Sequence, residues 1–134
     1  MNTFSLTIVT PDGLLFEGKA EELIVRTTSG DLGILAGHIN CVAPLGMGLA
    51  TVVAEGKKRY AACIGGMVSV LNGQVKLVPN TFEWADKIDV ARAAASEQRA
   101  KAVISNKSSS DTDLRLAEAR LRRALVRQSA ASYK

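Results

Sequence analysis

Apolar and polar side chains alternate at the start of the chain. Phe4, Leu6 and Ile8 fall on one parity and Ser5 and Thr7 on the other, the two-residue period of a half-buried strand. Pro11-Asp12-Gly13 then marks a turn. Apolar runs of strand length recur over 22–27, 48–53, 59–64, 67–71 and 74–78, separated by Ser29-Gly30-Asp31, Glu55-Gly56-Lys57, Gly65-Gly66 and Asn72-Gly73. Asn-Gly between apolar runs predicts a hairpin, because a type I′ turn needs two positive φ angles. Many short strands at this spacing predict an antiparallel β-sandwich or barrel.

Beyond Trp84 the period lengthens. Asp86 and Asp89 predict the start of a helix that runs to about Ile104, and the polar stretch Ser105 to Ser110 breaks it. Ser110 with Asp113 has the form of a capping box, opening a second helix to about Gln128. Leu114, Ala117, Leu121 and Leu125 recur there at steps of three and four, predicting one apolar stripe. A short loop between helices favours an antiparallel hairpin. The predicted class is α+β: an N-terminal antiparallel β-sandwich or barrel over 1–84, then a C-terminal antiparallel two-helix hairpin over 85–134.

Composition divides at the same place. All eleven glycines lie between Gly13 and Gly73 and all three prolines before residue 80, whereas twelve of nineteen alanines follow Trp84. Residues 1–84 carry six basic and seven acidic side chains, and residues 85–134 carry eleven and six, so the overall charge of +4 belongs to the tail. With 47% hydrophobic and 22% charged residues in 134, the chain has enough apolar content for a core. No apolar run reaches the roughly 18 residues of a membrane span. The opening Met1-Asn2-Thr3-Phe4 lacks the basic region and long apolar segment of a secretory signal, so a cytosolic chain is expected. Cys41, Cys63 and His38 make no metal-spaced cluster; the cysteines read as small core-type residues, with a disulfide left open.

No catalytic motif emerges. Gly18-Lys19-Ala20 and Gly56-Lys57-Lys58 lack the upstream glycine and following Ser/Thr of a phosphate loop, and His38 has no recognisable triad partner. The informative chemistry is on the tail. Asp89, Arg92, Ser96 and Arg99 share one face of the first helix; Arg115, Glu118 and Arg122 share a face of the second, beside Arg120, Arg123 and Arg127. Guanidinium forks suit phosphate oxygens. The same residues also read as a solvated face laced with ion pairs worth about 0.2–0.5 kcal/mol each. A nucleic-acid adaptor is a third reading, set against the absence of tail aromatics other than Tyr133 for base stacking.

Five stretches together resemble the epsilon-subunit family of F-type ATP synthases over essentially the whole chain. They are Val9-Thr10-Pro11-Asp12-Gly13, Ser29-Gly30-Asp31-Leu32-Gly33-Ile34-Leu35-Ala36-Gly37-His38, Val42-Ala43-Pro44-Leu45, Ile64-Gly65-Gly66 and Ile88-Asp89-Val90-Ala91-Arg92-Ala93. The family's usual proline before Gly-His is Ala36 here. The resemblance implies a non-catalytic rotor subunit on the cytoplasmic face of the cell membrane. Its sandwich would bind the gamma subunit and sit on the c-subunit ring, with Asp31 contacting that ring and His38 near the same end. The hairpin would fold on the sandwich or extend into the alpha/beta head and inhibit hydrolysis, with Arg115, Arg120, Arg122, Arg123 and Arg127 meeting an acidic segment of beta.

The resemblance further implies a regulatory ATP site at Glu83, Ile88, Asp89, Arg92, Ala93, Arg99, Arg122 and Arg123, with no catalytic cofactor, no nucleic-acid partner and the role of magnesium open. A further arginine usual in the second helix is Val126 here, between Arg123 and Arg127. Alanines on the first helix (Ala91, Ala94, Ala95, Ala102) are expected to dock it shallowly on the sandwich, leaving the hairpin bistable.

Overall fold

The computed structural model describes residues 2–133. Eight strands make one continuous, folded-over sheet: β1 (Phe4–Thr10), β2 (Gly13–Ala20), β3 (Glu22–Thr27), β4 (Gly30–Leu35), β5 (Cys41–Pro44), β6 (Met47–Ala54), β7 (Lys57–Leu71) and β8 (Gln74–Trp84). They are ordered β2-β1-β8-β7-β6-β3-β4, with β5 on β7. Every pairing is antiparallel except β1 with β8, which is parallel. Phe4, Leu6 and Ile8 point inward as the alternation predicts, joining Leu23, Val25, Ile34, Val52, Val68, Val75 and Leu77 in the core between the two layers.

The two runs 59–64 and 67–71 are a single strand. Gly65 and Gly66 (φ +66° and +95°) form its corner rather than a turn. Before them β7 pairs with β6, after them with β5, while β8 follows it along both arms. A Cβ at Gly66 would stand 2.0 Å from the Val78 carbonyl oxygen, so no side chain fits where the sheet folds over. Asn72-Gly73 and Glu55-Gly56 each take two positive φ angles, the geometry of type I′ hairpins.

β2, β4 and β5 lie outside the predicted runs. Each pairs on one side only, and β2 leaves all but Phe16 and Ala20 exposed. An edge strand with no buried face has no two-residue period to read. Gly30–Leu35 is thus a strand, where the sequence suggested a turn at Ser29-Gly30-Asp31; the reversal is confined to Thr28 and Ser29.

The tail is the expected hairpin, α1 (Val90–Ser105) and α2 (Asp111–Ala131). The capping box forms: Ser110 Oγ accepts from the Asp113 amide at 3.1 Å, and the Ser110 amide donates to Asp113 Oδ2 at 3.4 Å. Helix α1 does not start at Asp86. Residues Ala85–Lys87 make a 3-10 turn, Ile88 is extended and buried, and Asp89 caps α1 by accepting from the Arg92 amide at 3.0 Å. Burial of Ile88 stops the first turn from continuing into the helix. Ala93 and Ala100 of α1 and Ala117 and Ala124 of α2 are all buried, so the helices meet through alanines. The stripe passes through Ala124 rather than Leu125, which is 47% exposed.

Candidate functional site

Helix α2, not α1, seats the hairpin on the sandwich. This corrects the docking expected from the alanines of α1, which serve the packing on α2 or face solvent. The last turns of α2 place Ala130 and Ala131 against Ala62 of β7, with Ile88, Leu49 and Val126 around them. Tyr133 stacks on Tyr60 of β7 with ring centroids 4.6 Å apart. Arg127 of α2 donates from Nε to Glu83 of β8 at 2.5 Å, tying the helix to the final turn of the sheet. Trp84 lies beside this seat, edge-on to Phe82 and covered by the Arg59 guanidinium at 3.7 Å.

Because α2 holds the hairpin, α1 stands off β8 and a cleft of about 560 Å3 opens between them. Its sandwich wall comprises Thr10 and Asp12 of the β1–β2 turn with Thr81, Phe82 and Glu83 of β8. The opposite wall carries Asp89, Arg92, Ala93, Ser96 and Arg99, and α2 contributes Arg127 alone. The face predicted at steps of three and four, Asp89-Arg92-Ser96-Arg99, is therefore assembled on one wall. Among the described residues, Arg92 and Arg99 have no ion-pair partner.

A second cleft of about 520 Å3 lies between the helices and shares Ser96, Arg99 and Arg127 with the first. Arg120 and Arg123 complete its rim over Ala100, Val103 and Ala117. The helices are tied beside it by Glu97, which pairs with Lys101 at 2.7 Å and accepts from Gln128 Nε2 at 2.8 Å. Hydrogen bonds from Lys101, then Gln128, hold the Glu97 carboxyl below the usual carboxylate range.

The structure sorts the predicted nucleotide residues. Glu83, Asp89, Arg92, Ala93 and Arg99 line the first cleft, and Arg123 lines the second. Ile88 is packed under the seat of the hairpin, and exposed Arg122 borders neither cleft. Arg127, expected only as a contact for beta, takes the place in the first cleft that α2 supplies. Val126 turns its side chain into the Ala62–Ile88–Ala130 cluster, so Arg127 is the residue that reaches Glu83. Its four-residue step from Arg123 was the available sequence signal. Thr10 and Asp12 had none, since the sheet brings them from the far end of the sequence. Arg115 is exposed on α2, outside both clefts.

Asp31 and His38 do not share an end of the sheet. Asp31 opens β4, exposed, and pairs with Arg26 at 3.3 Å. His38 follows the other end of β4: its amide donates to the Leu35 carbonyl and its Nδ1 lies 2.8 Å from the Ile39 carbonyl oxygen. Four residues of strand, about 13 Å, separate Asp31 from Leu35. Cys41 and Cys63 are both free thiols. Burial pushes the Cys63 thiol up to about 12, so it is inert core material.

Residues 3–85 match the family described as ATP synthase, delta/epsilon chain, beta-sandwich domain, and residues 86–132 match its long alpha-helix domain. The chain belongs to the ATP synthase delta/epsilon chain family. The two matched domains of this delta/epsilon chain meet within the 3-10 turn Ala85–Lys87. An ATP synthase epsilon chain of Bacillus velezensis is 44% identical over 127 residues, covering 95% of this chain and 96% of that one. The epsilon chain of Bacillus pumilus is 41% identical over 131 residues, covering 98% of each. A chain of the Euglena gracilis mitochondrial ATP synthase, solved in an assembly with its c-ring, superposes with TM-score 0.84 at 25% identity over 100% of this chain and 83% of that one. A central-stalk structure of Tetrahymena thermophila mitochondrial ATP synthase shares the fold at TM-score 0.63 and 13% identity, over 95% of each chain.

Proposed function

We propose that this delta/epsilon chain is a non-catalytic central-stalk subunit whose hairpin is held on the sandwich by ATP. The observation that carries the reading is the first cleft: β8, α1 and α2 each supply a wall residue, so the site exists only while the hairpin is docked. Arg92 and Arg99 present unpaired guanidinium groups to a polyphosphate, and Arg127 joins them from α2. A ligand that binds only the docked form stabilises it by RT ln(1 + [L]/Kd), about 2.7 kcal/mol at a hundredfold excess over Kd. That is enough to set the position of an element seated by a few alanines, one tyrosine and one ion pair.

In this reading the sandwich carries the contacts to gamma and the c-ring, with Asp31 on the ring side, and the complex sits at the cytoplasmic face of the cell membrane. Release of the hairpin frees Arg115, Arg120, Arg122, Arg123 and Arg127 for an acidic segment of the beta subunit, inhibiting hydrolysis. Those contacts weaken with salt. No helix among the described residues is long and apolar enough to cross a membrane, consistent with attachment through partners.

One observation favours a second reading, a coupling subunit without nucleotide sensing. Three of the four motif residues have structural work: Ile88 is a buried anchor, Asp89 a helix cap and Ala93 a helix-packing residue. Only Arg92 has no structural task. Calorimetric titration of the full chain with ATP, with and without magnesium, separates the two. Arg92→Ala is expected to weaken ATP at least tenfold with the sandwich intact, equivalent to about 1.4 kcal/mol or more. Equal ATP affinity in the variant and the parent overturns the sensing reading.

A further inference from the structure

The two clefts differ in charge although they are continuous. The first mixes Lys87, Arg92, Arg99 and Arg127 with Asp12, Glu83 and Asp89. The second gathers Arg99, Arg120, Arg123 and Arg127 with no carboxylate among its described lining residues. Of these four, only Arg127 has an ion-pair partner or side-chain hydrogen bond among the described residues, namely Glu83. Four guanidinium groups around one cleft repel one another, and an anion relieves that repulsion. Fork geometry favours oxygens that accept two parallel N–H bonds. The floor, Ala100 and Ala117, is buried and carries no polar side-chain atom, so the cleft offers nothing to a base or sugar beyond Ser96 at its edge.

The geometry points to the inter-helix cleft as a seat for a linear phosphate chain bound without a nucleoside, gripped by Arg99, Arg120, Arg123 and Arg127. The inference rests on the proposed nucleotide cleft only through the shared Arg99 and Arg127. Arg120 and Arg123 are particular to the second seat, and Arg92 to the first. The chain of phosphates comes either from inorganic polyphosphate or from the tail of a nucleotide reaching across from the first cleft. Occupation also covers two arginines, Arg120 and Arg123, that the released hairpin would otherwise offer to an acidic partner.

The test is calorimetric titration of the full chain, at about 0.15 M salt so that diffuse attraction is screened, with inorganic tripolyphosphate, ATP and adenosine in parallel. The variants are Arg120→Gln/Arg123→Gln and Arg92→Ala. All three positions are exposed and helical, and circular dichroism checks that the fold is retained. Tripolyphosphate should bind the parent, weaken about tenfold or more in the double variant, and change by about twofold or less in Arg92→Ala. Saturable tripolyphosphate binding with no ATP binding supports this seat and overturns the nucleotide reading. Tripolyphosphate that does not bind, or that binds the double variant and the parent equally, overturns the seat whatever ATP does. An ATP site lost in Arg92→Ala then still stands.

Discussion

The sandwich and the hairpin are built from different materials. The sandwich buries large branched and aromatic side chains from both layers, Ile8, Leu23, Ile34 and Leu77 among those with no exposed surface. The hairpin closes on itself through Ala93, Ala100, Ala117 and Ala124 and on the sandwich through Ala130 and Ala131. Burying a Leu or Ile side chain contributes about 1.5–3 kcal/mol, a single methylene about 0.8 kcal/mol. The difference teaches that one chain can hold a rigid platform and a lightly fastened arm. Alanine seats α2 closely while leaving little apolar area to defend, so a few polar contacts and a ligand decide where the arm lies.

The largest expected effect tests the platform. Leu77→Ala should lower unfolding stability by about 2–5 kcal/mol, read from the denaturation midpoint of the sandwich with Trp84 as probe. A loss as small as that of an exposed position would break the contrast. Next comes the seat of the arm. Ala130 is fully buried against Ala62 and Ile88, so Ala130→Asp sets an unpaired carboxylate there at about 3 kcal/mol. The hairpin should release: tryptic cleavage within α2 should accelerate while the Trp84-reported sandwich midpoint stays close to the parent's. Loss of the sandwich transition instead would mean that platform and arm fold as one unit.

The smallest effect is the tie between the helices. Glu97 has its carboxyl pKa lowered in the folded state, so its contribution is present above the ordinary glutamate range and fades as pH falls through the lowered value. Glu97→Gln should therefore make amide exchange in α1 faster at neutral pH, with parent and variant converging in acid as Glu97 takes up its proton. A gap that persists or widens in acid would locate the effect elsewhere.

Much of this was legible in sequence, unevenly for physical reasons. Strands with one buried face announced themselves by alternation, as Phe4-Leu6-Ile8 did, and the Ser110–Asp113 box marked the start of α2 to the residue. Edge strands β2 and β4 had no buried face to impose a period. The glycine pair at 65 and 66 reads as a turn unless one knows that β8 follows both arms. In the candidate site, Asp89, Arg92, Ser96 and Arg99 were grouped correctly because helix geometry alone puts them on one face. The choice of α2 arginines was not, since Arg122, Arg123 and Arg127 differ only in how the helix is rolled about its axis.

By itself the amino-acid order determined a β platform with a basic helical hairpin, because periodicity, capping and turn chemistry act over a few neighbouring residues. Only the tertiary structure decided that α2 rather than α1 rests on the sheet and that Arg127 meets Glu83 across 44 positions of sequence. It likewise decided that the arginines line two joined clefts of opposite character. Such meetings depend on the relative placement of whole elements, which the packing of Ile88, Val126, Ala130 and Ala131 sets and no local pattern encodes.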